Sequence, residues 1–137
     1  MERRGRMIGK TFEELFSRLD EIDFGKHDLI VAIGKGGIIP AKVVQQKLKI
    51  PIKVVIVNYR DEENKPKYEN AKLLEEKKFK VRNAKILLVD DVSRTGKTLS
   101  VAKDYLKGNE IKTCVINGKA DYSFYNSKEC IRMPWKK

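Results

Sequence analysis

The stretch Ile86-Leu-Leu-Val-Asp-Asp-Val-Ser-Arg-Thr-Gly-Lys-Thr-Leu99 decides the fold and carries the clearest chemistry. Its first four residues read as a buried strand that delivers two adjacent carboxylates, Asp90 and Asp91, to its carboxyl end. A short polar turn containing Gly96 then opens a helix over roughly 97–106, with Gly108 past its end. The turn gathers backbone N–H groups and the hydroxyls of Ser93, Thr95 and Thr98 at the positive end of that helix, which makes a cup for a phosphate. The dipole contributes roughly 0.3–1 kcal/mol. Each hydrogen bond to a charged partner contributes roughly 1.5–3 kcal/mol, so the converging donors dominate.

Gly96-Lys97-Thr98 also ends the nucleotide-binding pattern G-x-x-x-x-G-K-[ST], whose first glycine falls on position 91. That position is Asp91. Two carboxylates at the loop mouth repel a triphosphate unless a cation or sugar hydroxyls intervene, so the P-loop reading is rejected. Carboxylates beside a phosphate cup suit a ribose 5-phosphate instead, with the phosphate in 94–98 and two sugar hydroxyls donated to Asp90 and Asp91.

Working outward, Leu29–Ile33 is a short apolar run that ends at Gly34-Lys35-Gly36-Gly37, followed by a helix over 38–48 with Pro40 in its first turn. The run 52–57 is β-branched and reads as one buried parallel strand, and 111–116 gives another. Thr11 and Glu14 have capping-box spacing, and Phe12, Leu15, Phe16, Leu19 and Ile22 recur at helical intervals, predicting a helix over 11–22. Residues 59–70 form a long polar loop of the kind that acts as a lid, 71–82 is ambiguous between strand and helix, and the tail 117–137 lacks a clear period. Strands alternating with helices predict one α/β domain spanning 1–137, with a mainly parallel twisted sheet flanked by helices. Ligands are expected at the carboxyl ends of its strands.

The chain has 137 residues, 41% of them apolar, which suits one domain with one core. No apolar run is long enough to cross a bilayer and no signal-peptide block follows the basic start, so no membrane is expected and the protein is expected in the cytoplasm. Cys114 and Cys130 lack ligand-spaced partners and read as buried thiols; His27, between Lys26 and Asp28, reads as a solvated turn residue. The formal charge of +11 favours polyanionic partners in general. Lys and Arg are dispersed, aromatics are only 8%, and no nucleic-acid-binding motif is visible, so nucleic acid is not the expected partner.

The segment Leu88–Leu99 resembles the phosphoribosyl-pyrophosphate motif of type I phosphoribosyltransferases, in which an apolar strand, two acidic residues and a T-G-x-T turn bind that donor. Val31-Ala-Ile-Gly-Lys-Gly-Gly-Ile-Ile-Pro-Ala41 resembles the pyrophosphate loop of the same family. The resemblance is greatest to purine members, acting on hypoxanthine, guanine or xanthine. It implies Mg2+ as cofactor and transfer of the 5-phosphoribosyl group to a purine base with release of pyrophosphate, in purine salvage. It further implies a homodimer or homotetramer, and a core of about 11–120 followed by a small C-terminal hood of about 121–137.

By this resemblance Asp90 and Asp91 are the catalytic carboxylates and the Mg2+ ligands, directly or through water. Ser93, Arg94, Thr95, Gly96, Lys97 and Thr98 take the 5-phosphate, and Gly34, Lys35, Gly36, Gly37 and Arg60 take pyrophosphate. The loop from Arg60 to Asn70 is then the lid, with Lys65 and Lys67 as further phosphate partners. Lys119 matches the lysine that contacts the 6-oxo group in 6-oxopurine members; from the residues alone it is equally a solvated loop lysine. Ile131 and Trp135 belong to the base-binding hood, where Glu129-Cys-Ile-Arg-Met-Pro-Trp135 resembles that of bacterial xanthine-guanine enzymes and Cys130 aligns with the stacking aromatic. Arg94 stands where 6-oxopurine members usually carry an Asp that handles a proton of the base, and an arginine stays protonated. Either the chemistry here needs no such Asp, or the acceptor is not a 6-oxopurine, or catalysis is lost. The alternative function, from a different class, is a non-catalytic sensor of the donor that binds RNA or DNA.

Overall fold

The computed structural model describes residues 7–58, 72–73 and 81–135. In chain order these form β1 (Met7–Gly9), α1 (Phe12–Glu21), β2 (Leu29–Ile33), α2 (Ile38–Leu48), β3 (Ile52–Val55), β4 (Val57–Asn58), β5 (Lys72–Leu73), β6 (Lys85–Ser93), α3 (Lys97–Tyr105), β7 (Glu110–Gly118), β8 (Tyr122–Tyr125) and β9 (Cys130–Arg132). The main sheet runs β3-β2-β6-β7-β8 with every neighbouring pair parallel. This is the α/β architecture expected from the alternation of strands and helices.

All five residues of β2 are buried, as are Ile86–Val89 of β6, because helices cover both faces of a parallel sheet. Successive side chains on a strand point to opposite faces, and the core divides accordingly. Ile30, Ala32, Leu87, Val89, Cys114 and Ile116 pack with Leu15 and Leu19 of α1 and Val43 and Val44 of α2. On the other face Val31, Ile33, Ile86, Leu88 and Val115 pack with Leu99 and Ala102 of α3.

α1 begins with the predicted capping box: Thr11 Oγ1 accepts from Glu14 N–H at 3.1 Å and Glu14 Oε1 accepts from Thr11 N–H at 2.8 Å. At its other end Lys47, reaching over from α2, donates to the carbonyls of Leu19 (2.9 Å), Asp20 (3.2 Å) and Ile22 (2.5 Å), satisfying groups that a helix C-terminus leaves open.

Several expectations are corrected. The run 52–57 is not one strand: the chain leaves the sheet after Val55, Ile56 turns to solvent, and Val57–Asn58 pairs antiparallel with Lys72–Leu73. The tail, which shows no clear period in the sequence, holds two strands: β8 extends the main sheet and β9 pairs in parallel with β1, Ile8 facing Ile131. Tyr122–Tyr125 therefore belongs to the core sheet, and the small sheet beside it is built from both ends of the chain. His27 is no solvated turn residue: its ring is half-buried edge-on to Tyr122, with Nε2 at 2.6 Å from the Phe24 carbonyl. Loop 59–70, including Arg60, Lys65 and Lys67, lies outside the described residues, as does most of 71–82. Among the described residues no helix is long and apolar enough to cross a membrane.

Candidate active site

β2 and β6 are parallel neighbours in the register Leu29↔Ile86 to Ala32↔Val89, so the loops that leave their carboxyl ends start at the same level. They meet at Gly36. A Cβ on that residue would lie 2.8 Å from Asp91 Oδ2 and 3.0 Å from Oδ1, so only glycine leaves the Asp91 carboxylate its place. At Gly37 a Cβ would lie 2.5 Å from the Val89 carbonyl oxygen, which fixes glycine where α2 packs against β6.

Two of the four glycine-loop amides are already committed. Gly34 N–H donates to Val55 O at 2.5 Å and Gly37 N–H to Ile33 O at 3.0 Å, so these residues shape the turn. Among the described residues no partner is shown for the amides of Lys35 and Gly36, which, with the exposed Lys35 side chain, can meet an anion.

Asp90 and Asp91 face different neighbours, as adjacent strand residues do. Asp90 is buried and lines a cavity of about 270 Å³ with Val92, Ser93, Arg94, Thr95, Gly96, Thr98 and Leu99. Burial, then the charge of Asp91, pushes its carboxyl up to about 8, although its Oδ1 accepts Asp91 N–H at 2.8 Å. Asp91 Oδ1 accepts Val92 N–H at 2.7 Å. A pair held in this way gains from any hydroxyl donor or cation brought to it. Two carboxylates are a hard-oxygen donor set that fits Mg2+, which binds few protein ligands and completes its shell from water and substrate oxygens. Among the described residues no group of three or more His, Cys, Asp and Glu could hold a metal ion by itself.

The cavity is the expected phosphate cup. Gly96, at φ +80°, is the N-cap of α3, so the turn tightens in front of the helix N-terminus. Ser93, Arg94, Thr95, Gly96 and Thr98 all line it, whereas Lys97 is exposed outside the lining and its N–H is 3.3 Å from Thr95 Oγ1.

Residues 4–136 match the model of the phosphoribosyl transferase domain family. The chain belongs to that family. A purine phosphoribosyltransferase from Pyrococcus horikoshii Ot3 is 26% identical, with a TM-score of 0.76 over 96% of this chain and 94% of that one. A hypothetical protein from Neisseria gonorrhoeae with bound ppGpp is 24% identical (TM-score 0.74; 99% and 92% of the two chains). A Helicobacter pylori xanthine-guanine-hypoxanthine phosphoribosyltransferase is 16% identical (TM-score 0.65; 94% and 91%), and at these lower identities the likeness is one of fold.

Within this phosphoribosyltransferase fold the remaining predicted residues fall at two places. Lys119 is exposed and directly follows Gly118, which pairs with Ser93 of the cup. Gly118 has φ +128°, and a Cβ there would run into the Ser93 carbonyl. Ile131 and Trp135 are half-buried against the α1–α2 core, with Trp135 beside Phe12 at 6.1 Å between ring centroids; neither lines the cavity. Sequence reasoning missed Asn117, a buried amide at the end of β7, because a lone Asn before a Gly reads as a turn.

Proposed function

We propose that this phosphoribosyltransferase transfers the 5-phosphoribosyl group from phosphoribosyl pyrophosphate to a purine base, hypoxanthine, guanine or xanthine, releasing pyrophosphate in purine salvage. The observation that carries the reading is the meeting of the two loops, with the Asp91 carboxylate seated against Gly36 beside the phosphate cup. The purine phosphoribosyltransferase of Pyrococcus horikoshii, 26% identical over nearly the whole chain, supports a purine acceptor.

In this reading Ser93, Arg94, Thr95, Gly96 and Thr98 hold the 5-phosphate, and Asp90 and Asp91 accept the two ribose hydroxyls. The Lys35 and Gly36 amides and the Lys35 ammonium face the pyrophosphate, and Arg60, which lies outside the described residues, is a further pyrophosphate ligand. A base nitrogen forms a bond to the anomeric carbon as the bond to pyrophosphate oxygen breaks, and positive charge develops on the sugar close to the carboxylates. Asp90 and Asp91 would hold Mg2+, which would supply shielding of the charge on the leaving pyrophosphate. Arg94 strengthens phosphate binding and leaves the proton of the base nitrogen to water or pyrophosphate. Lys119, with Ile131 and Trp135 of the hood, orients the base. The enzyme works in the cytoplasm as a homodimer or homotetramer.

The test is pyrophosphate release from phosphoribosyl pyrophosphate and Mg2+ with hypoxanthine, guanine, xanthine, adenine, uracil and orotate offered singly. Release that depends on one or two purines is expected. Asp91→Asn and Thr98→Ala should each weaken donor binding about tenfold or more, the effect of one lost charge-assisted hydrogen bond, with the fold intact. Normal donor affinity in both overturns the site assignment, and donor binding with no base-dependent release makes the chain a sensor.

A further inference from the structure

We infer that Asn117 is a positioning residue that fixes the base-binding tail over the end of β7; the inference rests on the purine-transferase reading above. Asn117 is buried and faces Val92 of β6 on one side and Tyr125 of β8 on the other, two residues before Lys119. Its Oδ1 accepts Ser127 N–H at 2.8 Å, and its Nδ2 donates to Ser127 O at 3.3 Å and Glu129 O at 3.4 Å. Ser127 Oγ in turn accepts Glu129 N–H at 3.1 Å, and Glu129 immediately precedes β9.

A buried polar side chain is costly unless its bonds are made, and an apolar residue would continue the packing of Val115 and Ile116 here. Asn117 instead directs every bond shown for its side chain to one segment, 127–129. One buried amide thus ties the entry of the hood to the strand that ends beside the phosphate cup. The backbone of the tail is set at this point, and the residues after it inherit that placement.

The experiment compares Asn117→Ala, Asn117→Asp and Ser127→Ala with the wild type, by base and donor kinetics, donor binding with Mg2+, and amide hydrogen exchange. In Asn117→Ala the KM for the base should rise about tenfold while the donor Kd stays within about twofold. Exchange should quicken over 127–132 and not over 87–89. Asn117→Asp keeps the acceptor for Ser127 N–H and should fall between wild type and Asn117→Ala. Ser127→Ala leaves the core untouched and should move the base KM in the same direction by less, so the inference stays testable if Asn117→Ala fails to fold. Base KM unchanged in the variants, or rising together with donor Kd, overturns the inference while wild-type turnover preserves the transferase reading. A wild type that releases no pyrophosphate with any base overturns both.

Discussion

Asp90 is where burial and charge oppose one another most strongly. Its carboxyl is raised from 3.8 to about 8 by desolvation and by Asp91, so folding favours the protonated form. The sign follows from linkage: the stability Asp90 contributes is fully present below about pH 4 and is lost as pH rises towards 8. Denaturant unfolding of the ligand-free protein should therefore show lower stability at pH 8.5 than at pH 5, and Asp90→Asn should flatten that fall. Cys114, pushed up to about 12 by burial, stays protonated in the folded protein and adds to the fall only where the unfolded thiol begins to ionise, above about pH 8, equally with and without the Asp90 change. Equal slopes in the two proteins would refute this account of Asp90. At Gly36 the prediction is steric: Gly36→Ala sets a methyl 2.8 Å from Asp91 Oδ2 and displaces it, so donor binding should weaken about tenfold or more in calorimetry while the unfolding midpoint hardly moves.

At the scale of elements, two contacts join parts of the chain that sequence reasoning leaves apart. Lys47 of α2 caps the C-terminus of α1 through three carbonyls, and its ammonium lies 5.8 Å from the centroid of the Phe24 ring. Lys47→Met keeps the apolar stem and removes those bonds, so thermal or denaturant unfolding should report a loss of about 1–3 kcal/mol. β9 has β1 as its only partner strand among the described residues, and Lys10 N–H adds a bond to Arg132 O at 3.1 Å. Removing residues 1–9 should loosen the tail and raise the base KM several-fold, with donor binding unchanged; a normal base KM in the shortened protein would separate the hood from base recognition.

For the whole molecule, a sheet covered on both faces leaves the site at the carboxyl ends of its strands, and the chain carries a formal charge of +11. Such a charge speeds the encounter with a polyanionic donor and is screened within about 10 Å at 0.1 M salt. Stopped-flow donor association should slow several-fold between low and moderate ionic strength, with a much smaller change in dissociation. A salt-independent association rate would show that the charge serves solubility instead.

What depends only on neighbours along the chain is legible from the residues. The Thr11–Glu14 capping box, the apolar run into Asp90 and Asp91, and the glycine turns before α2 and α3 are set within a few residues, so their patterns could be read directly. Periodicity then placed helices on a parallel sheet and brought both loops to one edge. The tertiary structure alone decided the pairing of β1 with β9, the break in the 52–57 run, the seat of Trp135 beside Phe12 and the clamp from Asn117 to 127–129. It also decided that the Gly34 and Gly37 amides are spent on Val55 and Ile33, and that Asp91 rests against Gly36. These contacts join residues distant in the chain, in strands too short to carry a period. Which partner each meets is settled only when the sheet, with its register, closes the distance between them.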